Sequence, residues 1–228
     1  MNQFLDFTSE LGPAFLPIVF IAIVGFISYY LNKKYLEKLR TIAPALGLQF
    51  AEKESIQQPS FGQDFTNRLV DLWEMSGNYH SVKVRIFGRS QGYGKNKRTF
   101  TYVVAYLNEP IKEKMAITKD DDITKLISKF LPLELKLGNE HLDEKYYIHG
   151  TSKEKILEFL TRSGVEAVVD EVLAYSDNTS IREDGIWYQG TVGETKEESK
   201  LREILDFIVP QTRKLSDLTG SRDRSSDF

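Results

Sequence analysis

The sequence predicts an α+β fold: one N-terminal transmembrane helix, then an antiparallel sheet covered by helices. Three observations predict it. An uncharged apolar run fills residues 14–31. Strand patterns then follow one another at hairpin spacing up to residue 107. From Met115 onward, short strand patterns alternate with helical ones.

The apolar run, Ala14 to Leu31, reads AFLPIVFIAIVGFISYYL. Its 18 residues give about 27 Å of helix, close to the ~30 Å hydrocarbon core of a bilayer. Pro13 suits a first helical turn. Tyr29 and Tyr30 stand where an interfacial aromatic belt belongs. A cleaved signal peptide fits poorly: the leading residues carry Asp6 and Glu10 with no base, and the run ends in Ser28-Tyr29-Tyr30-Leu31 rather than small residues. After the run come Lys33, Lys34, Lys38 and Arg40 against a single acid, Glu37. Basic flanks stay in the cytoplasm, so these four residues set the topology, with the N-terminus outside and the rest cytoplasmic.

Residues 33–46 continue as a helix, with Leu36, Leu39, Ala43 and Leu46 on one face and a kink expected near Thr41 because of Pro44. Gly47 ends it. Leu48-Gln49-Phe50 opens the first strand, and residues 55–64 are loop-like. Leu69–Ser76, Val82–Ile86 and Thr99–Leu107 read as successive strands, joined through Gly77-Asn78 and through residues 88–98. Met115–Ile117 is a short strand. Asp120–Asp122 open a helix carrying Ile123, Leu126, Ile127, Phe130 and Leu131, which Pro132 ends. Leu133–Leu137 and Lys145–His149 are brief strands. Thr151 and Glu154 form a capping box for the helix of Ile156, Phe159 and Leu160. Gly164 precedes a helix built on Val165, Val168, Val169, Val172 and Leu173. Asp184-Gly185 marks a two-residue hairpin turn. A last helix from Thr195 to about Ser216 buries Leu201, Ile204, Leu205, Ile208 and Leu215, with a kink at Pro210. The chain so divides into an extracytoplasmic N-terminus (1–13), a transmembrane helix (14–31), a juxtamembrane helix (32–47), a cytoplasmic α+β domain (48–216) and a disordered tail (217–228).

Composition narrows the chemistry. The chain of 228 residues has a net charge of -3 and no cysteine. Without cysteine there are no disulfides, thiolate nucleophiles, iron–sulfur clusters or Cys-type zinc sites. Three histidines in separate segments, His80, His141 and His149, give no metal spacing. The near-neutral balance argues against a general nucleic-acid binder. No Ser–His–acid arrangement can be read from the sequence. Asp120–Asp122 read as a helix N-cap rather than a cation loop. Trp73 and Trp187 fall in strands as packing residues.

The most distinctive stretch is Gly88-Arg89-Ser90-Gln91-Gly92-Tyr93-Gly94-Lys95-Asn96-Lys97-Arg98. A nucleotide P-loop requires G-x-x-x-x-G-K-[ST] leading into a helix; here Arg89 replaces the first glycine, Asn96 follows Lys95, and the segment joins two strands. Two readings remain. Arg89, Lys95, Lys97 and Arg98 contact anionic lipid head groups or an acidic partner, or they keep a hairpin tip solvated.

Ala45–Phe50, Ser76–Tyr79 with Val82–Phe87, the Gly-rich loop with Thr99–Leu107, and the hairpin Ile181–Tyr188 before a terminal helix resemble a loose set of bacterial single-pass membrane proteins. These carry a basic juxtamembrane helix and a cytoplasmic α+β domain. The likeness spans most of residues 33–216, with Pro44 departing from the plain helix expected there. It implies no known activity, so no functional residue is carried over.

The expectation is a membrane-anchored, non-catalytic binding or scaffolding module at the cytoplasmic membrane face, without metal or other cofactor. Its partners are the lipid bilayer and another protein, with anionic head groups and self-association as further contacts and no nucleic acid. The alternatives are a membrane-proximal enzyme and a self-assembling membrane organiser that uses the Leu36–Leu46 helix.

Overall fold

The computed structural model describes residues 3–52, 70–91, 98–119, 134–191 and 196–220. The chain forms two compact units, residues 1–42 and residues 43–228.

In the first unit the backbone is one helix, and α1 spans Gln3–Ala45. From Val19 to Lys34 every residue is exposed. Phe20, Ile21, Ile23, Val24, Phe26 and Ile27 are among them, with Phe20 at 67% and Phe26 at 70%. At 100° per residue these side chains cover about 220° of the circumference, and Ala22, Gly25 and Tyr29 fill the rest, so α1 from Val19 to Leu31 is uncharged all round rather than amphipathic. Among the described residues no helix is long and apolar enough to cross a membrane. Ala14 to Ile18, the first five residues of the expected span, lie outside the residues whose side chains are described. Lys33, Lys34, Lys38 and Arg40 are all exposed.

The backbone is helical through Pro44 to Ala45. Pro44 lies in the last turn, where it has no N–H to give to the i→i−4 ladder. The helix ends in a paired C-cap. Leu48 N–H donates to the Ala43 carbonyl at 2.8 Å and Gly47 N–H to Pro44 at 3.0 Å, with Gly47 at φ +70°. This is the geometry for which glycine after a helix is favoured.

Among the described residues the second unit is built on eight antiparallel strands. They are β1 (Gln49–Glu52), β2 (Val70–Tyr79), β3 (Val82–Gln91), β4 (Arg98–Tyr106), β5 (Met115–Thr118), β6 (Tyr147–Gly150), β7 (Thr179–Arg182) and β8 (Gly185–Thr191). Their order across the sheet is β1-β2-β3-β4-β8-β7-β5-β6. The helices are α2 (Glu140–Lys145), α3 (Lys153–Leu160), α4 (Val165–Tyr175) and α5 (Glu198–Gly220). Helix α5 packs on β3, β4 and β8, and α4 packs on β7 and α5. The core lies between these helices and one sheet face, where Met75, Val84, Ile86, Val103, Ala105, Ile117, Ile181 and Ile186 are fully buried. An α+β fold with an antiparallel sheet is therefore what the chain adopts.

Several local expectations shift. The β2–β3 turn is made by His80 and Ser81, not Gly77-Asn78. Both have positive φ, +47° and +68°, as a two-residue hairpin turn of the primed type requires. Gly77 instead pairs with Val84 inside the sheet, where a Cβ would come within 3.2 Å of Leu48 Cδ2. The β7–β8 turn is Glu183-Asp184, with Gly185 already paired to Arg182. Residues 134–137 make only a bridge from Glu134 to His149, with Leu135 N–H donating to the Ile148 carbonyl. Asn139 caps α2, a helix where the sequence suggested none. Helix α3 is capped by Ser152 rather than Thr151; Ser152 accepts from Lys155 N–H, while the Thr151 hydroxyl donates to Glu113. Helix α5 continues through Pro210 to Gly220, four residues past its expected end at Ser216. The expected helix at 120–131 and most of the expected tail lie outside the described residues.

Candidate basic–aromatic face of the sheet

Period-2 alternation sends half of each strand away from the helices. Along β3 that half is Lys83, Arg85, Phe87 and Arg89; along β4 it is Arg98, Phe100, Tyr102, Val104 and Tyr106. The register joins them: Phe87 faces Tyr102, Arg89 faces Phe100, and Val104 faces Trp187 of β8. Arg182 of β7 lies on the same side, two residues from Ser180, which faces Trp187.

These residues make a second cluster, separate from the main core. Phe87, Tyr102 and Val104 are buried, with Phe100, Tyr106 and Trp187 packed around them. The Phe87 and Tyr102 rings stack at 5.2 Å, and the Trp187 ring stands edge-on to both, at 6.1 and 6.2 Å. Cations lie over the rings. Arg85 is 4.3 Å and Arg89 4.8 Å from the Phe87 centroid, and Arg182 is 4.1 Å from the Trp187 centroid. Lys83 lies 5.6 Å from the Tyr106 ring. A guanidinium over an aromatic face gains roughly 0.5–2 kcal/mol, more as it is desolvated.

Carboxylates stand among these cations. Arg85 pairs with Glu74 at 2.7 Å, both side chains largely shielded from solvent. Burial, the largest influence, lowers the Arg85 guanidinium, but the hydrogen bonds and charges of Glu74 and Tyr106 together outweigh it and leave the net shift upward. Burial pushes the Tyr106 hydroxyl up. The Trp187 indole N–H donates to Asp184 at 2.8 Å, which fixes the ring under Arg182. Arg182 has no carboxylate within ion-pair distance among the described residues, its Nε is sealed without an acceptor, and burial pushes its guanidinium down. On the same face, Gln189 Oε1 is buried without a donor.

Of the residues singled out from the sequence, the structure brings Arg89 and Arg98 onto this face. Both belong to strands rather than to a loop, since β3 runs to Gln91 and β4 starts at Arg98. Lys95 and Lys97 lie outside the described residues. Arg85, Arg182, Phe87, Tyr102 and Trp187 were not singled out as binding residues. Alternation of Lys83, Arg85, Phe87 and Arg89 along one strand was the available signal for part of the group.

No family model matches the chain and no curated protein matches it. Among solved structures, it is similar to the crystal structure of the mycobacterial trehalose monomycolate transport factor A, TtfA. That likeness has 12% identity and a TM-score of 0.45, covering 81% of this chain and 93% of that one.

A second concavity lies at the β2–β3 turn. His80, Ser81, Asp206, Val209, Pro210 and Arg213 line a groove of about 530 Å³. Histidine, serine and aspartate meet here, yet they do not form a catalytic relay. Asp206 accepts the Tyr79 hydroxyl at 2.7 Å, Arg213 donates to the His80 carbonyl, and no hydrogen bond joins His80 to Ser81 or Asp206. Burial, then the Asp206 bond, raises the Tyr79 hydroxyl, so Tyr79 is a fixed donor rather than a base. Among the described residues no group of His, Asp and Glu is placed to hold a metal ion.

Proposed function

We propose that the chain is a membrane-anchored, non-catalytic binding module. Its apolar N-terminal helix spans the bilayer once, and its α+β unit works at the cytoplasmic face. There it holds a partner protein, with Arg89, Lys95, Lys97 and Arg98 meeting anionic head groups. The observation that carries the reading is the helix that is uncharged on every side from Val19 to Leu31 and flanked by exposed bases at Lys33, Lys34, Lys38 and Arg40. Such a surface finds its counterpart in acyl chains rather than in a core. The basic rows of β3 and β4 support an anionic contact, worth roughly 1 kcal/mol per base near an anionic leaflet.

The test is fractionation of the full chain with a reporter fused after Phe228. The chain is expected in the membrane fraction after alkaline carbonate washing, with the reporter active on the cytoplasmic side. Release by carbonate, or a reporter active only outside, overturns the reading. Replacing Arg89, Lys95, Lys97 and Arg98 by Gln leaves anchoring intact and removes salt-sensitive contact with anionic vesicles.

A further inference from the structure

The groove at the β2–β3 turn carries opposite charges towards its two ends. On helix α5, Asp206, Val209, Pro210 and Arg213 line it from one helix face. Asp206 and Arg213 are both exposed. Seven residues of helix set their backbones roughly 10 Å apart. Val209 and Pro210 make the apolar stretch between them, and His80 and Ser81 of the turn complete the lining.

Both charges are held in place with bonding capacity to spare. Asp206 Oδ1 accepts the Tyr79 hydroxyl at 2.7 Å, which leaves Oδ2. Arg213 donates from one terminal nitrogen to the His80 carbonyl, which leaves the other N–H groups of its guanidinium. Each has a charged neighbour one turn away along α5. Arg202 precedes Asp206, but it is bonded to Glu198 at 2.7 Å and to the Ala45 carbonyl. Asp217 follows Arg213 without coming into ion-pair contact with it. These neighbours moderate the two charges and fill neither place. Pro210 adds an acceptor beside the acid: without an N–H it cannot donate to the Asp206 carbonyl four residues earlier. The turn is also preformed. His80 and Ser81 keep left-handed backbone at φ +47° and +68°, tied to α5 through the Arg213 and Tyr79 bonds. Strain of this kind concentrates at binding sites.

The chemistry of the lining defines a ligand. A carboxylate, a released carbonyl and the Ser81 hydroxyl suit the three N–H donors of a primary ammonium, and a guanidinium edge suits a carboxylate. Two or three extended residues set an amino end and a carboxyl end roughly 7–10 Å apart. The groove volume of about 530 Å³ falls within the range of roughly 300–1,000 Å³ common for small-ligand sites. A single amino acid is too short to reach both charges, and the end of a protein chain brings only one of them.

We propose that this groove binds a free peptide of two or three residues, its ammonium at Asp206, its carboxylate at Arg213 and its apolar side chains on Val209 and Pro210. This goes beyond membrane anchoring, because it needs neither the bilayer nor the bases assigned to it.

The full chain in neutral detergent is titrated with trialanine by calorimetry at pH 7, and separately with N-acetyl-trialanine and with trialanine amide. The His80 ring protons, assigned by their loss in His80→Gln, are followed by NMR in the same titrations. Saturable trialanine binding that moves the His80 signals is expected. Blocking either end is expected to weaken it about tenfold. Asp206→Asn keeps an acceptor for Tyr79; it is expected to weaken trialanine about tenfold and to leave the acetylated peptide unchanged. Arg213→Lys keeps a donor for the His80 carbonyl; it is expected to weaken trialanine about three- to fivefold and to shrink the penalty for the amide. No saturable binding overturns the proposal. So does equal affinity when either end is blocked, binding that leaves the His80 signals in place, or wild-type affinity in a folded Asp206→Asn variant. If that variant does not fold, the blocked peptides and the His80 signals decide. Loss of carbonate-resistant anchoring with trialanine binding intact refutes only the membrane reading.

Discussion

Gly185→Ala tests how closely the two halves of the sheet are joined. Gly185 opens β8 opposite Tyr106 at the end of β4. A Cβ on this residue would lie 3.0 Å from both the Ala105 carbonyl carbon and Tyr106 Cα, and nearer still to the Ala105 carbonyl oxygen. All three atoms are backbone, so no rotamer change relieves the overlap; β4 and β8 must separate. The φ of +156° adds a conformation that L side chains rarely adopt. Overpacking and backbone strain together give about 3 kcal/mol. Gly47→Ala is the control, with φ +70° and nothing within 4 Å. It carries only the left-handed cost of about 1–2 kcal/mol. For a unit of this size the melting temperature is expected to fall about 6–12 °C for Gly185→Ala and about 2–8 °C for Gly47→Ala. The melt is followed by the emission of Trp73 and Trp187 in the full chain. If Gly185→Ala melts with the wild type, or if Gly47→Ala is the more damaging change, the close-approach argument is wrong.

Two further outcomes are expected. Burial alone raises the Asp170 carboxyl, but hydrogen bonds from Lys145 and Tyr146 outweigh it and hold it below the ordinary range. Its stabilisation is thus complete above the unfolded carboxylate pKa, near 4, and is lost as pH falls through the lower folded value. Asp170→Asn is expected to cost about 0.5–1 kcal/mol at pH 7, since the side chain is 40% exposed, and the gap to wild type should close in acid unfolding curves. Ser152→Ala removes the acceptor for Lys155 N–H at the start of α3 and is expected to cost about 1 kcal/mol by urea unfolding. An equal loss from Thr151→Ala through the helix itself would put the cap back where the sequence suggested it.

The α+β class was legible because the strand and helix runs are strongly periodic. Ile181, Ile186 and the α4 and α5 stripes sit buried where their spacing placed them. Turns were displaced where packing overruled local chemistry. Gly77 looks like a turn residue, but it is paired inside the sheet with little room over it beside Leu48, and the reversal falls on His80-Ser81 at the cost of two left-handed non-glycine residues. Gly185 marks its hairpin correctly, yet its role is clearance for β4 rather than the turn itself. Helix α2 was hidden because it has six residues and only Leu142 buried. The Arg182 cluster was invisible for a different reason. Its members lie on β3, β4, β7 and β8, and only sheet register brings Arg89, Tyr102, Trp187 and Arg182 together. A strand read by itself gives which side a residue faces, never its cross-strand neighbour.

The strand order also sets a timetable for biosynthesis. Strands β1 to β4 are neighbours in both sequence and sheet, so they can pair as soon as they leave the ribosome. The partner for the far edge of β4 is β8, and Tyr106 waits for Gly185. At roughly 5–20 residues per second, the intervening ~80 residues take about 4–16 s to appear. Throughout that interval β4, carrying Phe100, Tyr102, Val103 and Val104, presents an open edge with the highest β propensity in the chain. The nascent protein is therefore expected to be a chaperone client during this window. A pause site placed between residues 107 and 184 should increase its aggregation more than one placed after Thr191.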